Sequence, residues 1–161
     1  MVNLNILLPG QYLAYGTYGL ESGLNLEFAG PFRVESFPDD LSIEGKVQHR
    51  RSDTTYPFRA SITRDEFSKS QALASITIAG MPELKGRACL VPPTREVLAS
   101  EPHSLNQLSV RVVPLESPRV YEVTGILALG GKTWFPFHFR VTPMEAEVAL
   151  ENVVALPKRS A

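Results

Sequence analysis

Phe135-Pro136-Phe137-His138-Phe139-Arg140-Val141 is the stretch on which the reading of this chain turns. Its apolar residues Phe135, Phe137, Phe139 and Val141 recur at every second position, while Trp134, His138 and Arg140 take the alternate places. Successive side chains of a strand point to opposite faces, so this period predicts a strand with one buried and one solvated face. Tyr56 to Ile62 repeats the pattern, with Tyr56, Phe58, Ala60 and Ile62 on one face and Arg59 and Ser61 on the other. Both stretches begin aromatic-Pro-Phe.

The likeness extends outward from these two strands. Leu24 to Thr63 can be laid on Leu105 to Thr142 with two single-residue gaps, pairing Leu24/Leu105, Asn25/Asn106, Glu35/Glu116, Ser36/Ser117, Pro38/Pro118, Gly45/Gly125, Thr54/Thr133, Pro57/Pro136, Phe58/Phe137 and Thr63/Thr142. Self-similarity at a fixed period of roughly 80 residues argues for two fused modules. The expected fold is mainly β: an antiparallel barrel or sandwich built from two pseudo-equivalent halves, about 1–80 and 81–161, within one domain. Neither half can bury its exposed face alone, so each is expected to cover the other. Pro57 and Pro136 each remove a ladder donor, which suits a sheet edge or the start of a strand.

The remaining segments fit around this frame. Val2, Leu4, Ile6 and Leu8 alternate with polar residues and predict a first strand, ended by Pro9-Gly10. Gln11 to Gly19 reads either as a bent strand or as a loose helical turn. Leu41, Ile43 and Val47 point inward, and Gly45 marks a bulge or a close backbone approach. Gly130-Gly131 supplies a hairpin turn that tolerates positive φ. Thr63-Arg64-Asp65-Glu66 and Thr142-Pro143-Met144-Glu145 both fit a Thr-x-x-Glu capping box, predicting a short helix after the last strand of each half. Ala74 to Ile78 returns to strand, with Val153 to Leu156 as its counterpart. Pro92 to Leu98 is expected to open another short helix.

Strand, short helix and three strands in each half also resembles the βαβββ order of paired modules in the glyoxalase-like superfamily. That resemblance implies metal ligands from His and Glu side chains on particular strands. The first strand of each half, Val2 to Leu8 and Arg87 to Val91, contains neither residue, so the metal chemistry is not carried over.

Composition narrows the function classes. With 43% hydrophobic and 20% charged residues in 161, the chain reads as an ordinary globular protein. A net charge of −1 gives no whole-molecule attraction to nucleic acid or to anionic membranes. No apolar run approaches a membrane span, and the N-terminus lacks a basic leader and a long apolar stretch, so a cytoplasmic location is expected. The lone Cys89, in the apolar run Ala88-Cys89-Leu90-Val91, cannot form an internal disulfide and reads as a buried, inert thiol.

No catalytic constellation emerges. His49, His103 and His138 have no zinc-type spacing to other ligands, so no metal is expected. There is no phosphate-binding glycine loop, and Gly130-Gly131-Lys132-Thr133 lacks the first glycine of that motif because position 126 is Ile126. No cofactor is implied. The candidate ligand-binding residues are Tyr56, Arg59, Trp134, His138 and Arg140. Trp offers a flat apolar surface, His exchanges a proton near neutral pH, and Arg holds an anion through paired hydrogen bonds. If the halves close into a barrel, these groups are expected to line a shared pocket. The segment Lys46 to Arg64 is basic with aromatics interleaved, yet Phe58 should face the core, and a solvated hairpin is the preferred reading over a nucleic-acid site.

Two functions are compatible with this inventory. The first is a non-catalytic binding or assembly protein, contacting a protein partner or another copy of itself through strand edges and Trp134. The alternative is a barrel that encloses an apolar or aromatic small molecule, as a carrier or as a cofactor-free isomerase or cyclase, with Tyr12, Tyr15, Tyr18 and Tyr56 supplying walls.

Overall fold

The computed structural model describes residues 3–20, 22–90, 95–101 and 103–144. Ten strands follow one another: β1 (Gly10–Gly19), β2 (Asn25–Phe37), β3 (Asp40–His49), β4 (Thr55–Arg64), β5 (Gln71–Ile78), β6 (Leu84–Cys89), β7 (Arg95–Glu101), β8 (Asn106–Pro114), β9 (Tyr121–Leu129) and β10 (Thr133–Pro143). Each pairs antiparallel with its neighbours in sequence, and β1 also pairs with β10, closing the sheet into a barrel. Closure leaves no exposed ladder, which removes the edge liability of an open sheet.

Alternation along each strand fixes inside and outside. Phe135, Phe137, Phe139 and Val141 lie opposite Leu127, Gly125, Val123 and Tyr121 of β9, and all of these face the lumen. Tyr56, Phe58, Ala60 and Ile62 do the same on β4, opposite Val47, Gly45, Ile43 and Leu41. Charged side chains alternate outward, with ion pairs Arg59–Glu44 and Arg111–Glu96 and a His138–Glu122 hydrogen bond across neighbouring strands, and Leu73, Leu98, Ile126 and Trp134 are exposed among them. A lipid-embedded barrel carries its apolar band outside. Here the inward positions are apolar and the outward ones mix charged and apolar side chains.

The two ends of the lumen differ. At one end Tyr12, Val34, Leu41, Ala72, Ala88, Val112 and Val141 are buried together with Leu4, Ile6 and Leu7. Residues 3–8 therefore form a stopper, not the strand that their alternation predicts. Three side chains hold its backbone: the Tyr12 hydroxyl donates to the Leu8 carbonyl at 2.6 Å, the Leu8 N–H donates to the Tyr121 hydroxyl at 3.1 Å, and Arg95 donates to the Ile6 carbonyl at 3.0 Å. Burial, followed by the neighbouring Tyr121, pushes the Tyr12 phenol up to about 12, so it stays a neutral donor.

Several expectations require correction. No helix is present among the described residues. After β4, Asp65 accepts from the Phe67 backbone N–H and pairs with Arg87, while the Thr63 hydroxyl bonds Asp40 instead of capping a helix. Residues 95–98 of the expected Pro92–Leu98 helix lie in β7; the Glu145 end of the second capping box and Val153 to Leu156 lie outside the described residues. The βαβββ resemblance therefore fails, since its helices are missing among the described residues and every pairing is antiparallel, between sequence neighbours or between β1 and β10. Of the two readings of Gln11 to Gly19 the strand holds. Cys89, expected to be buried, is exposed, because the alternation of β6 turns its neighbour Ala88 inward and Cys89 outward.

Two equivalent halves are not seen. The β3–β4 and β9–β10 hairpins do share a register, Gly45 opposite Phe58 and Gly125 opposite Phe137. One strand earlier the correspondence slips: position 32 falls on position 113, but Phe32 faces the lumen and Val113 faces outward beside the buried Val112. Ten alternating strands also divide into halves of five, and a five-strand step about the barrel axis lays up strands on down strands. Likewise Pro57 and Pro136 mark no sheet edge. Pro136 sits one residue beyond the last β1–β10 partners, Tyr18 and Phe137, where no donor is needed.

Two expectations about glycine hold. A Cβ on Gly45 would lie 2.3 Å from the Phe32 Cβ and 2.5 Å from the Pro31 carbonyl oxygen, so close backbone approach excludes any side chain there. Gly130 and Gly131 turn the β9–β10 hairpin with φ of 61° and 72°.

Candidate functional site

The end of the lumen opposite the stopper is only partly filled by the described residues: Leu84, Ala99, Leu108 and Leu127 are buried on the β6 to β9 side, while inward residues of β2 to β4 stay half-buried. Ala60 on β4 shows this most simply. It faces inward between Ile43 and Ile76, yet it is only half-buried, whereas Ala72 and Ala88 at the stoppered end are 0% exposed. Phe28, Phe58, Phe137, Phe139, Ile76 and Val110 also point inward and stay half-buried. Side chains inside a closed sheet reach solvent only through its lumen. Barrel diameter grows with strand number, and about eight strands is the size that side chains just fill. Ten strands with only an alanine at position 60, between the half-buried Ile43 and Ile76, leave space there.

The wall is divided by chemistry. Inward aromatic residues lie on β9, β10, β1, β2, β3 and β4, while the inward positions of β5 to β8 are aliphatic or small through the middle of the barrel. At the open rim the rings touch in sequence. Tyr18 stacks on Phe135 with centroids 5.3 Å apart and planes 11° from parallel. Phe28 meets Tyr18 edge-on at 6.1 Å, Tyr56 edge-on at 5.8 Å and the His49 ring at 5.1 Å. Deeper in, Phe32 contacts both Tyr12 and Phe58.

Polar groups inside this half are few. His49 Nδ1 lies 3.2 Å from the Ser52 hydroxyl, which fixes the ring at the rim. Burial pushes the Tyr18 phenol up to about 12, and its hydroxyl has no hydrogen-bond partner among the described residues. Glu101 is occupied by the backbone N–H groups of His103 and Ser104, and hydrogen bonding at Ser104 holds its carboxyl below the usual range. No cluster of metal-ligating side chains occurs among the described residues. The arrangement can enclose an apolar molecule and offer it a few neutral hydrogen bonds.

Of the residues singled out from sequence, only Tyr56 borders the lumen, at the rim and 38% exposed. Arg59 stands outside and pairs with Glu44 at 3.2 Å. His138 stands outside with Glu122 at 2.8 Å. Trp134 is 55% exposed on the same outer surface, and Arg140 lies opposite Tyr15 and Glu122 there. These four do not meet in the lumen. Tyr12 is buried under the stopper and Tyr15 faces outward, so of the four tyrosines expected as walls only Tyr18 and Tyr56 serve the open half. Phe28, Phe58 and Phe137 were missed because alternation assigns inward aromatics to a packed core and says nothing about whether that core is filled.

No protein-family model matches the chain, and no curated protein matches it. Among solved structures, the S-type phycobiliprotein lyase CPES from Guillardia theta is similar in fold, with a TM-score of 0.67, 5% sequence identity, and 86% of this chain and 89% of that chain covered. At that identity the likeness is one of fold.

Proposed function

We propose that this protein binds an apolar small molecule inside the open half of the barrel, as a carrier or as a cofactor-free enzyme acting by enclosure. The observation that carries the reading is the half-buried state of inward-facing residues such as Ala60, Phe58 and Phe137. A lumen that side chains do not fill exposes apolar surface to water, and a ligand that covers it gains roughly 25 cal/mol for each Å² removed from solvent. The fold likeness to a phycobiliprotein lyase supports the same reading over the assembly protein first favoured by the sequence. Positions such as Trp134 and Arg140 then belong to the outer surface and are not needed for the ligand.

Native mass spectrometry tests this. The gently purified chain is measured natively and then unfolded, both as isolated and after incubation with a mixed lipid and pigment extract. An open-chain tetrapyrrole serves as a defined probe. Added mass that leaves on unfolding is expected. A bare chain under all these conditions would overturn the proposal.

A further inference from the structure

The segregation of the wall says which kind of molecule the lumen takes; this step rests on the small-molecule reading above. Flexible aliphatic chains need only apolar surface, and the β5 to β8 side provides it. A continuous series of rings from Phe135 through Tyr18 and Phe28 to Tyr56 presents flat π-faces and edges that reward a flat partner. Ala60, half-buried between Ile43 and Ile76 at the β4 end of this series, leaves room beside Phe58, while Leu84 and Ala99 on the facing side are buried in a cluster on which Tyr18 and Phe135 pack.

Polar chemistry narrows the class further. No inward-facing charged side chain is free in the open half among the described residues, because Glu101 is spent on its own turn. A charged group buried here would lack a counter-ion, which is costly. The Tyr18 hydroxyl, by contrast, is a neutral donor without a partner among the described residues, carried on a ring already held by Phe135 and Phe28. We propose that the ligand is a planar conjugated molecule, uncharged in its buried part, that stacks on the aromatic wall and accepts a hydrogen bond from Tyr18 through a carbonyl or similar group.

Three probes separate the possibilities: fluorene, fluorenone, which is the same tricycle with one carbonyl, and palmitate. Dissociation constants come from ligand-observed NMR titration, with circular dichroism verifying each variant's fold. On the unaltered protein, fluorenone is expected to bind more tightly than fluorene by roughly two- to tenfold, the net worth of one neutral hydrogen bond. Tyr18→Phe keeps the ring and should abolish that difference. Phe135→Leu should weaken both tricycles. Equal affinity of the two tricycles for the unaltered protein would overturn the role of Tyr18, whatever becomes of the variants. Saturable palmitate binding with neither tricycle bound would overturn the planar class while leaving the small-molecule barrel standing. Failure of all three to bind would overturn both.

Discussion

Replacing Ala60 and Ala88 by phenylalanine, one at a time, probes the two halves of the lumen with the same chemical change. Ala88 is 0% exposed and packs in the cluster that includes Leu4, Ile6 and Leu7. Forcing a ring into a close-packed site costs about 1–3 kcal/mol, and a chain of this size loses about 2–4 °C of Tm per kcal/mol. Ala88→Phe is therefore expected to lower Tm by roughly 2–12 °C. Ala60 looks into open lumen between Ile43 and Ile76, both half-buried. A new ring there covers on the order of 60 Å² of apolar surface, worth about 1.5 kcal/mol. Ordering it costs roughly 0.5–1 kcal/mol. The net change is expected to stay within about 1 kcal/mol of zero. Thermal and urea unfolding of both variants give the comparison directly. If Ala60→Phe destabilises the protein as much as Ala88→Phe does, the open half is packed and the reasoning fails.

Three other outcomes are expected. Tyr12→Phe removes the 2.6 Å bond to the Leu8 carbonyl and leaves that part-buried acceptor without it, which should cost about 1–3 kcal/mol and show as a lower Tm. Stability should fall in alkali: Tyr12 and Tyr18 keep their protons to about 12 when folded but release them near 10 when unfolded, so the stabilisation is complete below 10 and is lost as pH rises towards 12. Urea unfolding at stepped pH checks this, and a flat profile between 9 and 12 would contradict it. Finally, Trp134→Ala combined with Arg140→Ala should leave the affinity for a lumen ligand unchanged within about twofold, since both residues face outward. A large loss in the same titration would return the outer surface to the site.

Much of the strand pattern was legible because alternation is local. Phe135, Phe137, Phe139 and Val141 face inward as their spacing requires, and so do Tyr56, Phe58, Ala60 and Ile62. What closes the barrel was not legible. β1 meets β10 through pairs such as Tyr12 with Pro143 and Ala14 with Val141, partners far apart in sequence with no local signal. Leu4 and Ile6 misled for a related reason: alternation marks which residues seek burial, and a stopper held by Tyr12, Tyr121 and Arg95 buries them as well as a strand would. The capping box at Thr63 misled because its groups found tertiary partners, Asp40 and Arg87, instead of helix N–H donors. The self-similarity in sequence coincides with a shared register in one hairpin, where Gly45 lies opposite Phe58 and Gly125 opposite Phe137, and two equivalent halves are not seen. The site itself was hidden for the plainest reason. An inward phenylalanine has the same sequence signature whether its far side meets another side chain or empty lumen.

A fluorescence titration with N-phenyl-1-naphthylamine, an uncharged apolar probe, tests the central claim most directly when run on the natural chain and on Ala60→Phe side by side. Saturable one-to-one binding to the natural chain is expected, weakened roughly tenfold or more, about 1.4 kcal/mol, once the Ala60 position is filled. Probe binding that never saturates, or that is indifferent to the filled lumen in a folded variant, would contradict it.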